Sequence, residues 1–363
     1  MYPAIRKKLI QLAISAGIAM LIYLCGLSSS LSETLYSDGL YQLTSVVQRF
    51  ISGIFPFALG DFLYVLLICY CLWSVINGFR KLLKKQQKKP VKTLVLLQLL
   101  NFTLIIYISF KLLWGLNYSR PSITERLAIS DEKYNTKELV SLGSFLIDKV
   151  NGLKGRLGQD KKTRAYTISE LESNAKIAYD QLKGRSPFFS YPAPAVKPVL
   201  FSWVISTIGI EGYYCPPSGE ANVNMRLPAV VLPFVTCHEI SHQLGIARED
   251  EANLIGFLVS THSPNLNFQY SGYYNILRSV LFEIRMKSPE DFKRLYTTIN
   301  KGTLADFRTE REFWMRYNGD MSAYMDTALD KFLKMNNQPK GTDSYQDIVL
   351  WVYNLNKKNL TQK

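Results

Sequence analysis

The sequence predicts a membrane anchor of three transmembrane helices followed by an α+β domain, mostly helical with a small sheet. Three observations carry this. Apolar runs long enough to cross a bilayer are confined to residues 1–116. Residues 117–363 mix charged and apolar positions as a water-exposed domain does, and their pattern is helical except for one stretch rich in Pro, Gly and aromatics. The whole-chain averages, 47% hydrophobic with mean hydropathy near zero, therefore describe neither part.

The first span is Leu9–Leu27, preceded by Arg6, Lys7 and Lys8. It is longer than the apolar region of a signal peptide and no small-x-small site comes cleanly after it, so it reads as a retained signal anchor. The second, Ile54–Phe79, is interrupted only by Asp61 near its start. The third, Thr93–Leu116, carries Lys111 close enough to its end to snorkel toward the interface. Each suffices to cross about 30 Å of hydrocarbon as a helix.

Charge sets the orientation. Of the net +14, residues 1–92 hold eleven Lys/Arg against three Asp/Glu, and Arg80–Lys92 alone holds seven basic residues. The connection Ser28–Gly53 has only Arg49 against Glu33 and Asp38. By the positive-inside rule the N-terminus and the 80–92 segment face the cytoplasm, and three crossings put residues 117–363 outside it. The charge flanks apolar segments and accompanies no nucleic-acid-binding motif, so the expected partner is the lipid bilayer, with no nucleic acid. Within 28–53, Leu40, Leu43, Val47, Phe50 and Ile54 recur at helical spacing. That amphipathic helix either lies on the outer interface or packs against the exported domain.

In the exported part, Asn135–Leu157 and Thr167–Leu182 read as amphipathic helices, the second opened by the capping sequence Thr167-Ile-Ser-Glu170. Within Ser186–Pro233, Ala195–Ile210 has the β-branched and aromatic content of one or two strands, and Ala221–Met225 suits another. Helices resume at Pro233–Gly245, Glu249–Thr261, Tyr274–Met286, Pro289–Ile299 and Thr309–Met335. Cys215 and Cys237 match no zinc knuckle; whether they pair is a matter of geometry that spacing does not decide.

The segment Val235–Gly245 contains H-E-x-x-H at His238–His242, using two of the three histidines in the chain. Residues four apart share a helix face, so both imidazoles can reach one Zn2+, while Glu239 faces the same cavity and can act as general base toward metal-activated water. A structural zinc gains nothing from such a base, which favours hydrolysis. A catalytic zinc wants a third protein ligand, and Glu249, Asp250, Glu251 and His262 are the candidates. Glu220–Asn224 is a candidate cleft wall, and Tyr213, Tyr214, Tyr270, Tyr273 and Tyr274 include possible oxyanion donors, none singled out.

The segment Glu249-Asp-Glu-Ala-Asn253 resembles the E-x-x-A-[DN] signature of gluzincins such as CAAX-prenyl endopeptidases and ImmA/IrrE-type proteases. The resemblance implies Glu249 as the third ligand and Asn253 as the partner of a ligating histidine. The gap after His242 is shorter than in those families, and Arg248 stands where metzincins place a third histidine. With Trp114-Gly-Leu-Asn-Tyr118 and Ser218-Gly-Glu-Ala-Asn-Val-Asn224, the chain from its first span nearly to its end resembles the bacterial domain-of-unknown-function family 3810. That resemblance implies a three-span anchor (1–116, with helices at about 9–27, 54–79 and 93–116) and a zincin-like metallopeptidase domain (117–363). The function expected is a zinc metalloprotease in the bacterial inner membrane, hydrolysing peptide or protein substrates outside the cytoplasm. The alternatives are a non-catalytic zinc-binding membrane module and a zinc amidase acting on cell-wall peptides.

Overall fold

The computed structural model describes residues 3–83, 89–158, 165–317, 319–336, 338 and 347–360. It is mostly helical with one three-stranded sheet. Three helices are long and apolar enough to cross a membrane: α1 (Pro3–Gly26), α3 (Leu59–Leu83) and α4 (Lys89–Leu113). Each starts before or after the predicted span by a few residues, because helix ends obey caps and hydropathy windows do not. Of the basic 80–92 segment, residues 84–88 lie outside the described residues.

Between α1 and α3 the chain makes a wide π-helical stretch, Ser32–Leu40, and then α2 (Tyr41–Gly53). The helix is amphipathic as expected, and it is the polar face that packs on the domain while the apolar stripe stays outside. Tyr41, Ser45, Arg49 and Ser52 are buried against the domain, whereas Leu43, Val47, Phe50 and Ile54 are exposed. Gln48 Nε2 donates to the Pro216 carbonyl at 2.9 Å and Tyr41 Oη donates to the His242 carbonyl at 3.1 Å. A cut in the chain at residue 116 is therefore not a cut in the packing.

The helices that carry the core begin at α5 (Thr136–Leu157). It is opened by a capping box in which Asn135 Oδ1 accepts from Glu138 N and Glu138 Oε2 accepts from Asn135 N. Thr167 Oγ1 caps α6 (Ile168–Lys183) by accepting from Glu170 N at 3.2 Å. Leu139, Leu142, Leu146 and Val150 of α5 share one apolar core with Leu277, Val280 and Ile284 of α10 (Leu266–Lys287). Helices α8 (Leu232–Gln243) and α9 (Glu249–Thr261) pack on each other and on α10, and each is buried along most of its length, polar residues included.

The sheet departs from the sequence reading. Only Val196–Pro198 (β1) of the predicted Ala195–Ile210 stretch is a strand, and Ser202–Thr207 forms a short helix, α7. A strand not predicted, Gly212–Cys215 (β2), pairs antiparallel with Glu220–Val223 (β3), which pairs parallel with β1. The order β1-β3-β2 makes β3 the central strand. Lys197, Asn222 and Tyr213 share a register row, and with Glu220 they form the polar face of the sheet, turned toward the start of α3. There Glu220 accepts from Leu59 N and Gly60 N, Lys197 Nζ donates to the Phe55 carbonyl, and the Tyr213 hydroxyl donates to Asp61.

After α10 come α11 (Pro289–Tyr296), α12 (Lys301–Tyr317), α13 (Asp320–Met335) and α14 (Asp347–Leu360). The single helix expected over Thr309–Met335 is thus two, with Gly319 as the N-cap of the second, a residue that favours a break. The last helix has no counterpart in the sequence reading. Its Ile348, Val349, Trp351 and Val352 are buried in the main core.

Candidate metal centre

His238 and His242 lie on one face of α8, and a glycine fixes the course of the chain beyond them. Gly245 has φ +88°, its N–H donates to the His242 carbonyl at 2.9 Å, and the Ile246 N–H donates to the Ser241 carbonyl at 3.2 Å. This left-handed ending turns the chain back under the helix. The Ile246 carbonyl thereby arrives 2.6 Å from His242 Nδ1, and α9 begins three residues later with Glu249 facing both imidazoles. The shortness of the interval between His242 and Glu249 is the shortness of this turn. Helix α9 can approach α8 because residue 256 is glycine: a Cβ there would stand 3.3 Å from the His238 nitrogen.

The side chains converge. Glu249 Oε2 lies 3.2 Å from His238 Nε2, Glu249 Oε1 lies 3.7 Å from His242 Nε2, and the two Nε2 atoms are 3.2 Å apart. One ligand atom from each of His238, His242 and Glu249 falls within 4.8 Å of the others. His242 Nδ1 faces the Ile246 carbonyl, which can only accept, and His238 Nδ1 faces Asn253 Oδ1 at 3.0 Å. Both Nδ1 atoms therefore carry ring protons, and both Nε2 atoms face the Glu249 carboxylate. Two ring nitrogens and a carboxylate thus converge on one point. Such a set holds together around a proton or a cation, and two imidazoles with a carboxylate are the donors a divalent transition metal takes.

The electrostatics carry the same strain. Burial pulls His242 down, but Glu249 and Glu239 outweigh it and raise the imidazole to about 9. Burial also disfavours the charged form of His238, and its pKa is lowered. Burial would raise Glu249 too, but the two histidines hold its carboxyl well below the usual carboxylate range.

Glu239 lines the same cavity, buried, with Oε2 lacking a hydrogen-bond partner among the described residues. Burial pushes its carboxyl up to about 8, with His242 acting against the rise and Glu249 adding to it. The wall beside it is β2. The candidate wall Glu220–Asn224 is instead the fully buried central strand, and Gly212–Tyr214 of the edge strand face the cavity. The space measures about 780 Å³, within the usual range for a ligand site.

A family model described as protein of unknown function (DUF3810) matches residues 36–353. The chain belongs to this family. The match starts at Tyr36, before α2, so the DUF3810 unit includes α3, α4 and the segment that packs Tyr41 beneath the site. Neither the curated proteins nor the solved structures compared contain a match.

The other candidates of the sequence lie elsewhere. Glu251 Oε1 accepts from Ile123 N at 3.1 Å and pairs with Arg248, Asp250 Oδ1 accepts from Glu251 N, and the His262 ring meets Arg185 and the Leu258 carbonyl. Cys215 and Cys237 are separate buried thiols. Tyr213 and Tyr214 line the cavity, whereas Tyr270 and Tyr274 are tied to Asp306 and Glu310. Sequence reasoning gave no site role to Trp114, whose ring stands against Tyr214, His242 and Tyr118, to Tyr118 itself, or to Arg278, which pairs with Glu310 at the cavity edge. The first two sit in the Trp114–Tyr118 segment that falls within the matched residues, at the end of an apolar run where spacing alone points to no site.

Proposed function

We propose that His238, His242 and Glu249 bind Zn2+ and that this DUF3810 protein is a membrane-anchored metallopeptidase with Glu239 as its general base. The observation that carries the reading is the convergence of two imidazole nitrogens and a carboxylate, beside a buried carboxylate whose Oε2 has no hydrogen-bond partner among the described residues. The ion supplies a Lewis acid that polarises a carbonyl and makes water a nucleophile at neutral pH. Asn253 and the Ile246 carbonyl hold the imidazoles in the tautomer that presents Nε2. Glu239 Oε2 takes the proton of the attacking water as the oxygen bonds to the peptide carbon, and returns it to the amine as the C–N bond breaks. With a dication held beside it, Glu239 would stay ionised despite its burial and so be ready to accept the proton.

The test is Glu239→Gln, nearly the same shape without the base. Zinc content should be unchanged, and hydrolysis of a peptide-library substrate should fall by about 10²–10⁴-fold. Full peptidase activity in this variant would show that Glu239 is not the base, and a cellular role kept without peptidase activity would show a non-catalytic zinc. For orientation, we propose a cytoplasmic N-terminus and an extracytoplasmic domain in a bacterial inner membrane, on the strength of the basic 80–92 segment. Reporter fusions within that segment and after Ser130 should report opposite compartments; agreement between them would overturn this topology.

A further inference from the structure

The cavity that holds the metal cluster is not walled by the domain alone. Tyr64 of α3 and Phe110 of α4 line it, with Trp114 and Tyr118 just beyond the end of α4. Tyr64 lies five residues inside the apolar span and Phe110 three residues from the end of the other, so the floor reaches about 5–7 Å into the two spans.

The edge strand connects the same two places. It starts at Gly212 against the Glu239 carboxylate and ends at Cys215, which touches Ser218, Tyr64 and the first turn of α3. Tyr213 in its middle donates to Asp61, in that same first turn. Among the described residues β2 has one strand partner, β3, and its Gly212–Tyr214 line the cavity, where an extended chain would meet its other edge. Four residues at about 3.3 Å each give about 13 Å from the base to the membrane end of the strand.

A third feature stands beside these. Leu200, Phe201, Trp203 and Val204, at the start of α7, are exposed, and the Leu200 N–H donates to Asp61 Oδ2 at 2.8 Å. An exposed Trp with apolar neighbours, level with the first turn of a membrane helix, is the composition of an interfacial anchor.

On the reading that the centre is a peptidase, we infer that its substrate is a membrane-tethered polypeptide, cut in its juxtamembrane segment. The segment pairs along β2 with its tether running toward α3 and the bilayer. Cleavage falls within about five residues of the bilayer face, the length of chain that spans the strand. A soluble peptide reaches the same groove without the anchor that holds it there.

The test uses the full-length, zinc-loaded protein in phosphatidylethanolamine–phosphatidylglycerol vesicles. One randomised ten-residue library is placed about 5 or about 30 residues from a single transmembrane helix, and a third copy is left soluble. Both tethered forms share the gain in local concentration, so their ratio reads position alone. Cutting should be at least 10-fold faster at the near position and slower still for the soluble library. Equal cutting at both distances, or of the soluble library, would leave the peptidase standing and overturn the substrate class. No Glu239-dependent cutting of any of the three would overturn both.

Discussion

Gly212 and Glu239 are in contact: a Cβ on Gly212 would stand 2.6 Å from Glu239 Oε1 and 2.7 Å from the Asn222 carbonyl. The edge strand is thus pressed against the carboxylate proposed as the base, and only a residue without a side chain fits between them. Gly212→Ala should push the carboxylate or the strand aside. The expected result is a loss of activity of about 10²-fold, the scale of an ångström-sized misplacement, with zinc content kept. Wild-type activity in this variant would mean that Glu239 is not held by the strand.

The ligand set separates two neighbouring glutamates. His238→Ala, His242→Ala and Glu249→Ala should each weaken zinc binding by at least about 10-fold, measured by competition with a chromogenic chelator. Glu251→Ala should keep the metal but cost about 1–3 kcal/mol of stability, because the buried Ile123 N–H and Arg248 lose their acceptor. Full zinc in Glu249→Ala with loss in Glu251→Ala would reverse the assignment.

Range decides what the sequence could and could not tell. The two histidines and Glu239 were legible because an i,i+4 spacing on a helix is local geometry, and α9 was legible to the residue because its acidic first turn and apolar period agree. The choice of Glu249 over Glu251 from residues alone was not, because it depends on how far the Gly245 turn carries the chain back under α8. The edge strand was invisible for a related reason: Gly212–Cys215 is four residues whose strand character comes from pairing with β3. The buried face of α2 was not legible from hydropathy. Its apolar stripe is outside, and its buried face, with Tyr41, Ser45, Arg49 and Ser52, looks like a solvent face.

Gly245 tests the turn itself. At φ +88° an alanine is strained, and its Cβ would stand 3.1 Å from Tyr41 Cε1. Gly245→Ala should cost about 1–3 kcal/mol. It should also loosen the Ile246 carbonyl from His242 Nδ1, lowering zinc affinity about 10-fold. A loss of stability with unaltered zinc affinity would show that the turn does not orient the imidazole.

Alkaline pH tests a thiol far from the ligands in sequence. Burial pushes Cys215 up to about 11 from its usual 9. The folded state thus favours the neutral thiol, so its contribution is complete below about pH 9 and is lost as pH rises toward 11, with a slope of at most about 1.4 kcal/mol per unit. Buried tyrosines such as Tyr191 and Tyr214 are also raised and add their own loss above about pH 10. The comparison is therefore between the protein and Cys215→Ala at pH 8.5–10, by thermal unfolding in detergent. The variant should show the flatter profile; identical slopes would mean that the thiol is not held neutral by the fold.

The junction between anchor and domain rests on one carboxylate. Glu220, wholly buried on the central strand, accepts from Leu59 N at 2.9 Å, Gly60 N at 2.6 Å and Ser218 Oγ at 2.8 Å. It thereby caps α3 from outside the helix, supplying acceptors to N–H groups that have none within it. Burial raises its pKa even so, the bonds from Gly60, Ser218 and Leu59 acting against the rise. Glu220→Ala strands two buried N–H groups and should cost about 2–4 kcal/mol. Because β2 pairs with β3 and leans on Asp61 through Tyr213, the loss should reach the cavity wall as well. The signature is protease sensitivity appearing in the 54–58 connection together with lowered peptidase activity, while His238, His242 and Glu249 still bind zinc. Glu220→Gln keeps one acceptor oxygen and should recover part of both. If Glu220→Ala left the connection protected and the activity intact, the anchor and the edge strand would be independent of each other.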